Sequence, residues 1–153
     1  MDIAHYYEAM WTSVAAGALA LAVTIGAFGA HALRDRLDAY SMGVYEKAVF
    51  YHFVHALGLL IVSLMPSSPT PNQPRTTVSG SCNDQPPTRT GVLSEAKAGW
   101  VCILLLTGIV LFSGSLYALA ITGVRALGAV TPLGGLSFIA AWLLLAYASA
   151  KRT

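Results

Sequence analysis

The chain has 153 residues, of which 56% are hydrophobic and only 10% charged, with a formal net charge of +2 and a mean hydropathy of +0.62. A soluble domain carries roughly 25% charged residues, so this bulk chemistry excludes an ordinary water-soluble fold and points to a membrane protein. The nine basic residues are scattered among helix ends and form no cluster, which leaves no footing for a nucleic-acid partner.

No Asp, Glu, Lys or Arg occurs in residues 9–33, 48–74, 98–124 or 126–150. A membrane span needs about 20 apolar residues, and the expected spans are 10–32, 46–65, 98–122 and 131–150. The first is preceded by Asp2 and Glu8 with no basic residue, the wrong start for a secretory signal, and it reads as a span. Along it Ala18, Ala22, Gly26 and Ala30 recur every fourth position. Small faces let helices approach closely in lipid, so Gly26, with Gly29 beside it, is expected at a helix contact. Residues 34–44 set Arg34, Asp35, Arg36 and Asp38 between Leu33, Leu37, Tyr40 and Val44, a pattern that suits a short interfacial helix and equally a plain turn. The second span is the tightest. Pro66 limits its apolar part to residues 48–65, which cover about 27 Å at helical rise.

Residues 66–95 hold six of the seven prolines among many Ser, Thr, Asn and Gln. Such a segment buries too little apolar surface to offset its ordering entropy, so a flexible linker is expected, with a docking motif as the alternative. Cys82 lies in this linker and Cys102 in the third span, and no C-x-x-C spacing suggests a metal site. In the third span Gly114, Ala118 and Thr122 form another small row. Thr131 and Pro132 suit the start of the last helix, as cap and first-turn residue, and Gly134 and Gly135 permit close packing there.

The expected architecture is therefore all-α: one integral-membrane four-helix bundle over residues 1–153, built as two helical hairpins joined by a flexible Pro-rich loop. Four spans place both termini and the linker on one side, with Arg75, Arg89, Lys97, Lys151 and Arg152 against Arg34, Arg36, Lys47 and Arg125 on the other. The positive-inside rule then leans towards cytoplasmic termini.

Depth counting gathers the polar side chains of the spans. Measured from the nearest charge at the end shared by the first and third loops, His31 lies about 5 Å deep, His52 about 8 Å, His55 and Tyr117 about 12 Å, Ser115 about 15 Å and Ser113 about 18 Å. Tyr51 reaches the same turn as His55. The cluster His31, Tyr51, His55, Ser113, Ser115 and Tyr117 reads first as a buried hydrogen-bond network, because neutral imidazole both donates and accepts and hydroxyls can answer it. A ligand site for metal, haem or quinone, and a path for protons or solutes, are the alternatives. No G-x-S-x-G, P-loop, G-x-G-x-x-G or H-E-x-x-H is present, and no carboxylate within a span could orient a histidine for triad chemistry. An enzyme is not expected.

Gly26-Ala-Phe-Gly-Ala-His31, Met42-Gly43, Tyr51-x-x-x-His55, Leu111-Phe-Ser-Gly-Ser-Leu-Tyr117 and Thr131-Pro-x-Gly-Gly-x-Ser-Phe138 with Trp142 resemble the domain-of-unknown-function 423 family, which includes the transmembrane protein 256 group. The resemblance covers all four spans in order. It implies a small four-span protein of the bacterial inner membrane, in an uncharacterised family. His52 stands where the family pattern does not demand histidine, which leaves His31 and His55 to join the first two helices to Tyr117. The long linker departs from the family's usually short second loop.

The expected function is that of a small membrane scaffold or accessory subunit without catalysis. No metal ligand set and no cofactor are assigned. Its partners would be the lipid bilayer and a membrane-protein partner or a second copy of the chain. The alternative is a carrier or a metal-, haem- or quinone-binding membrane protein centred on His31 and His55.

Overall fold

A computed structural model of the chain describes residues 3–65, 67–68 and 93–151. Most of the expected linker, with Cys82, lies outside the described residues. Helix α1, Ile3–Phe28, is rich in Ala and Leu and runs without a break into a π turn, Gly29–Leu33. The charged residues 34–37 make a turn, and α2, Ala39–Ser63, begins at once. Its start is fixed by Asp38, whose extended backbone lets Oδ1 accept the Ser41 N–H at 2.7 Å. Tyr40 and Val44 thus belong to α2 itself, and the separate interfacial helix weighed for residues 34–44 does not form.

The third rod is continuous over Ala96–Thr122. It consists of α3, Glu95–Gly108, a π segment, Ile109–Ser113, and α4, Gly114–Thr122. Gly123 ends it in the left-handed conformation at φ +72°, donating its N–H to the Leu119 carbonyl. A 3₁₀ turn, Arg125–Ala129, leads into α5, Thr131–Ala150, with Pro132 in its first turn. Two short strands, β1 Ser67–Ser68 and β2 Leu93–Ser94, pair in parallel and bring the two ends of the linker together at one end of the helices.

Three of these rods, Glu8–Leu33, Ala96–Thr122 and Arg125–Ala150, are long and apolar enough to cross a membrane. Helix α2 is not among them, since it carries Glu46, Lys47 and two histidines. It is also the central helix. It packs against α1 on one side and against α3, the π segment and α4 on the other, while α5 rests on α3 and the π segment. The least apolar helix is therefore the one most covered by neighbours, where its polar groups can find partners away from lipid. The main core joins Ala15 of α1, Ala56, Leu59 and Val62 of α2, Val101, Cys102 and Leu105 of α3, and Phe138 and Ala141 of α5. Large apolar side chains such as Leu21, Phe28, Ile103, Val110, Leu136 and Leu143 point outward, as lipid-facing positions do.

Glycines set four close approaches, Gly58 against Trp142 and Gly108 against Phe138 among them. A Cβ on Gly29 would collide with the Tyr45 ring, and one on Gly134 would collide with the Phe112 backbone. A Cβ on Gly135 would instead rest 3.8 Å from the Phe112 ring, an ordinary contact. On α1 the contact row runs through Ala15, Ala18, Ala22 and Gly26 and continues to Gly29 in the π turn, while Ala30 is exposed. Two members of the row expected on the third rod, Gly114 and Thr122, mark no close approach. A Cβ on Gly114 meets open space, and Thr122 is exposed, bonding back to its own helix at Ala118.

Candidate functional site

Several polar side chains of the helices gather along α2, from Tyr45 to His55. Tyr45, Ala48, His52, His55, Ala56, Leu59 and Val62 are all buried at spacings of three and four, which makes this stripe the inward face of the helix. Within the stripe, residues three apart differ by about 60° around the axis. That difference sends the two histidines to different neighbours.

His52 is 3% exposed and faces both α1 and α4. Its Nδ1 lies 3.3 Å from the Tyr117 hydroxyl, a long hydrogen bond, and the backbone of Ala18 is on its other side. With Nδ1 accepting from the phenol, the ring proton sits on Nε2 and points toward α1. Tyr45 completes the joint. Its hydroxyl donates to the Ile25 carbonyl at 2.8 Å, and its ring lies 5.2 Å from that of Tyr117, in the space that Gly29 leaves open.

His55 turns to α5. Its Nδ1 bonds the Tyr51 carbonyl one turn earlier at 2.8 Å, so the proton is on Nδ1. The imidazole stacks on the Phe138 ring with centroids 3.4 Å apart and stands 6.2 Å from Trp142. Tyr51 is itself partly exposed and leans on Phe112, in the π segment, at 4.6 Å. Two further ties cross the second hairpin. Ser115 Oγ pairs with Thr131 Oγ1 at 2.9 Å and also donates to the Phe112 carbonyl, and Ser137 Oγ donates to the Leu104 carbonyl at 2.8 Å. Thr131 therefore ties helices together and makes no cap bond, while Pro132 occupies the first turn as its chemistry suggests. Ser113 is fully buried with no partner for its hydroxyl among the described residues. At the opposite end of α1 and α2, Thr12 donates to Ser63 at 3.3 Å.

The cluster differs from the expected network at His31, at Ser113, whose hydroxyl has no partner among the described residues, and in the pairing of Tyr117. His31 is exposed, in the π turn at the end of α1, and it makes none of these contacts. Gly29 lies against Tyr45, and His55 is ten residues beyond Tyr45, about 15 Å farther along α2. His31 and His55 thus sit at different depths, and it is His52 that meets Tyr117. Sequence reasoning misses Tyr45 and Ser137. The signal for Tyr45 is its place two turns before His52 on the same face, and Ser137 stands three residues after Gly134, on the side of α5 that makes the close approach.

Among the described residues no carboxylate, lysine or arginine joins the cluster, and neither Ser113 nor Ser115 bonds a histidine. Among the described residues no three His, Cys, Asp or Glu side chains converge as a metal site would require. What the arrangement does is physical: neutral donors and acceptors fasten α1 to α2, α2 to α4, and α4 to α5 where no water competes for them.

A family model described as a protein of unknown function, DUF423, matches residues 25–135. Similar proteins include a UPF0382 membrane protein of Staphylococcus epidermidis, 44% identical over 131 residues, which are 86% of this chain and 87% of that protein. The UPF0382 membrane protein YwdK of Bacillus subtilis is 39% identical over 86% of this chain and 88% of its own length. No solved structure matches.

Proposed function

The chain belongs to the DUF423 family of proteins of unknown function, and from that premise we propose that it is a small multi-pass scaffold or accessory subunit, without catalysis, of the bacterial inner membrane. In this reading all four helices cross, as a four-helix bundle of two hairpins joined by the flexible loop 66–95, and both termini are cytoplasmic. Its support is that α2 buries its two histidines against α1 and the second hairpin and turns Phe50, Phe53, Leu57 and Ile61 outward.

The observation that carries the reading is that both buried histidines and Ser115 engage side chains of neighbouring helices. His52 meets Tyr117, His55 meets Tyr51 and Phe138, and Ser115 meets Thr131, so these side chains act as joints between helices. Meanwhile α1 and α5 leave broad apolar faces outward, with Leu21, Val23 and Phe28 on one and Leu136, Ile139 and Leu143 on the other. Such faces suit lipid, a partner's helices or a second copy. A carrier or cofactor protein centred on His31 and His55 has less support, because the two histidines lie at different depths.

The test is native mass spectrometry of protein extracted from its own membrane in mild detergent. A stoichiometric membrane-protein partner or a homo-oligomer is the expected result. A solitary chain carrying a bound small molecule at one per protein would overturn the scaffold reading in favour of the carrier.

A further inference from the structure

Beside the joint formed by Gly29 and Tyr45, α1 and α2 diverge on their outer side and leave an open groove of about 790 Å³. Ala22, Gly26 and Ala30 line it from α1, and Phe53 from α2. From Ala22 to Arg34 the groove follows about 18 Å of helix, close to one leaflet's share of a ~30 Å hydrocarbon core. Arg34 lines it at the turn end, and Glu46 lines it farther in, beside the level at which Tyr45 meets Gly29. Both are exposed, and among the described residues no ion pair joins them.

We propose that this groove holds one phospholipid whose headgroup carries both a phosphate and a primary ammonium, as phosphatidylethanolamine does. The inference rests on α1 and α2 both crossing the membrane, and it is independent of whether the protein has a partner. An acyl chain lies along the apolar floor, where any lipid would fit. The two charges supply the selection. The Arg34 guanidinium is a planar fork that matches a phosphate, and the Glu46 carboxylate accepts N–H bonds from a primary ammonium. A choline headgroup keeps the positive charge but has no N–H to donate, and a glycerol headgroup offers Glu46 no cation. A groove whose only charge is a cation would favour anionic lipid; one that carries both a cation and an anion favours the zwitterion.

The protein is reconstituted in vesicles of equal parts phosphatidylethanolamine, phosphatidylcholine and phosphatidylglycerol with identical acyl chains, extracted gently, and its retained lipid is weighed by native mass spectrometry. One retained ethanolamine lipid is expected, enriched about threefold over choline lipid, the scale of an exposed ion pair. Glu46→Gln brings that ratio to about one while lipid is still retained, and Arg34→Gln lowers retention of all three. Ala27→Trp, which fills the groove from another exposed position, abolishes retention and serves as the deciding variant if Arg34→Gln disturbs folding. Equal retention of the three lipids, a preference for the glycerol lipid, or an ethanolamine preference that survives Glu46→Gln would each overturn the proposal.

Discussion

His52 and Tyr117 meet across two helices, imidazole Nδ1 to phenol hydroxyl at 3.3 Å, with α1 closing over the other edge of the ring. This contact joins the first hairpin to the second. Interhelical hydrogen bonds in membranes are nonetheless modest, averaging about 0.6 kcal/mol in double-mutant cycles. A cycle of His52→Phe and Tyr117→Phe, read by unfolding in detergent, is therefore expected to give a coupling of about 0.6 kcal/mol in favour of the pair. Strictly additive losses would show that the two side chains pack without bonding.

Gly134 and Gly135 separate two effects that adjacent glycines usually confound. A methyl group on Gly134 has nowhere to go but the Phe112 backbone, so Gly134→Ala should destabilise the fold by about 1–3 kcal/mol. At Gly135 the added group reaches only ordinary contact, and Gly135→Ala should be neutral or stabilising by up to about 1 kcal/mol through helix propensity. The unfolding midpoints of the two variants check this, and equal losses would contradict the close approach of α5 to the π segment.

Asp38 offers a pH dependence at the start of α2, outside the spans. The Ser41 backbone N–H, followed by its hydroxyl, holds the Asp38 carboxyl below its ordinary value of 3.8. Because the folded value is the lower one, the stabilisation is fully present above the unfolded value and is lost as pH falls through the folded one. Protection of the first-turn amides of α2, corrected for intrinsic exchange, should be flat above about pH 5 and fall progressively in acid. Asp38→Asn should flatten the acid limb; an unchanged profile in that variant would remove Asp38 as its cause.

Much of this is legible in the sequence because hydrocarbon imposes simple rules. Uncharged runs locate the helices, Pro132 marks the start of the last one, and the motif from Gly26 to His31 points to the family. Azimuth is harder to read. Whether His52 or His55 faces Tyr117 depends on a rotation of about 60°, and a family pattern that demands histidine at position 55 and not at 52 points to the wrong partner. Tyr45 escapes because the expected second span begins at residue 46, whereas Asp38 caps the helix at Ala39. Thr131 sits at a helix start, where a hydroxyl suggests a cap, but it finds Ser115 on the neighbouring helix. His31 gains a depth by counting from Arg34, yet counting residues fixes height and leaves direction open, and its side chain faces outward.

The central claim is that the buried histidines are joints between helices. It is tested most directly by visible absorbance and elemental analysis of the protein purified from its own membrane, alongside His55→Ala. The account predicts a colourless protein without stoichiometric metal, in which His55→Ala lowers the unfolding midpoint through the lost Phe138 stack and changes nothing else. One haem or one metal ion per chain, absent from the His55→Ala protein, would contradict it.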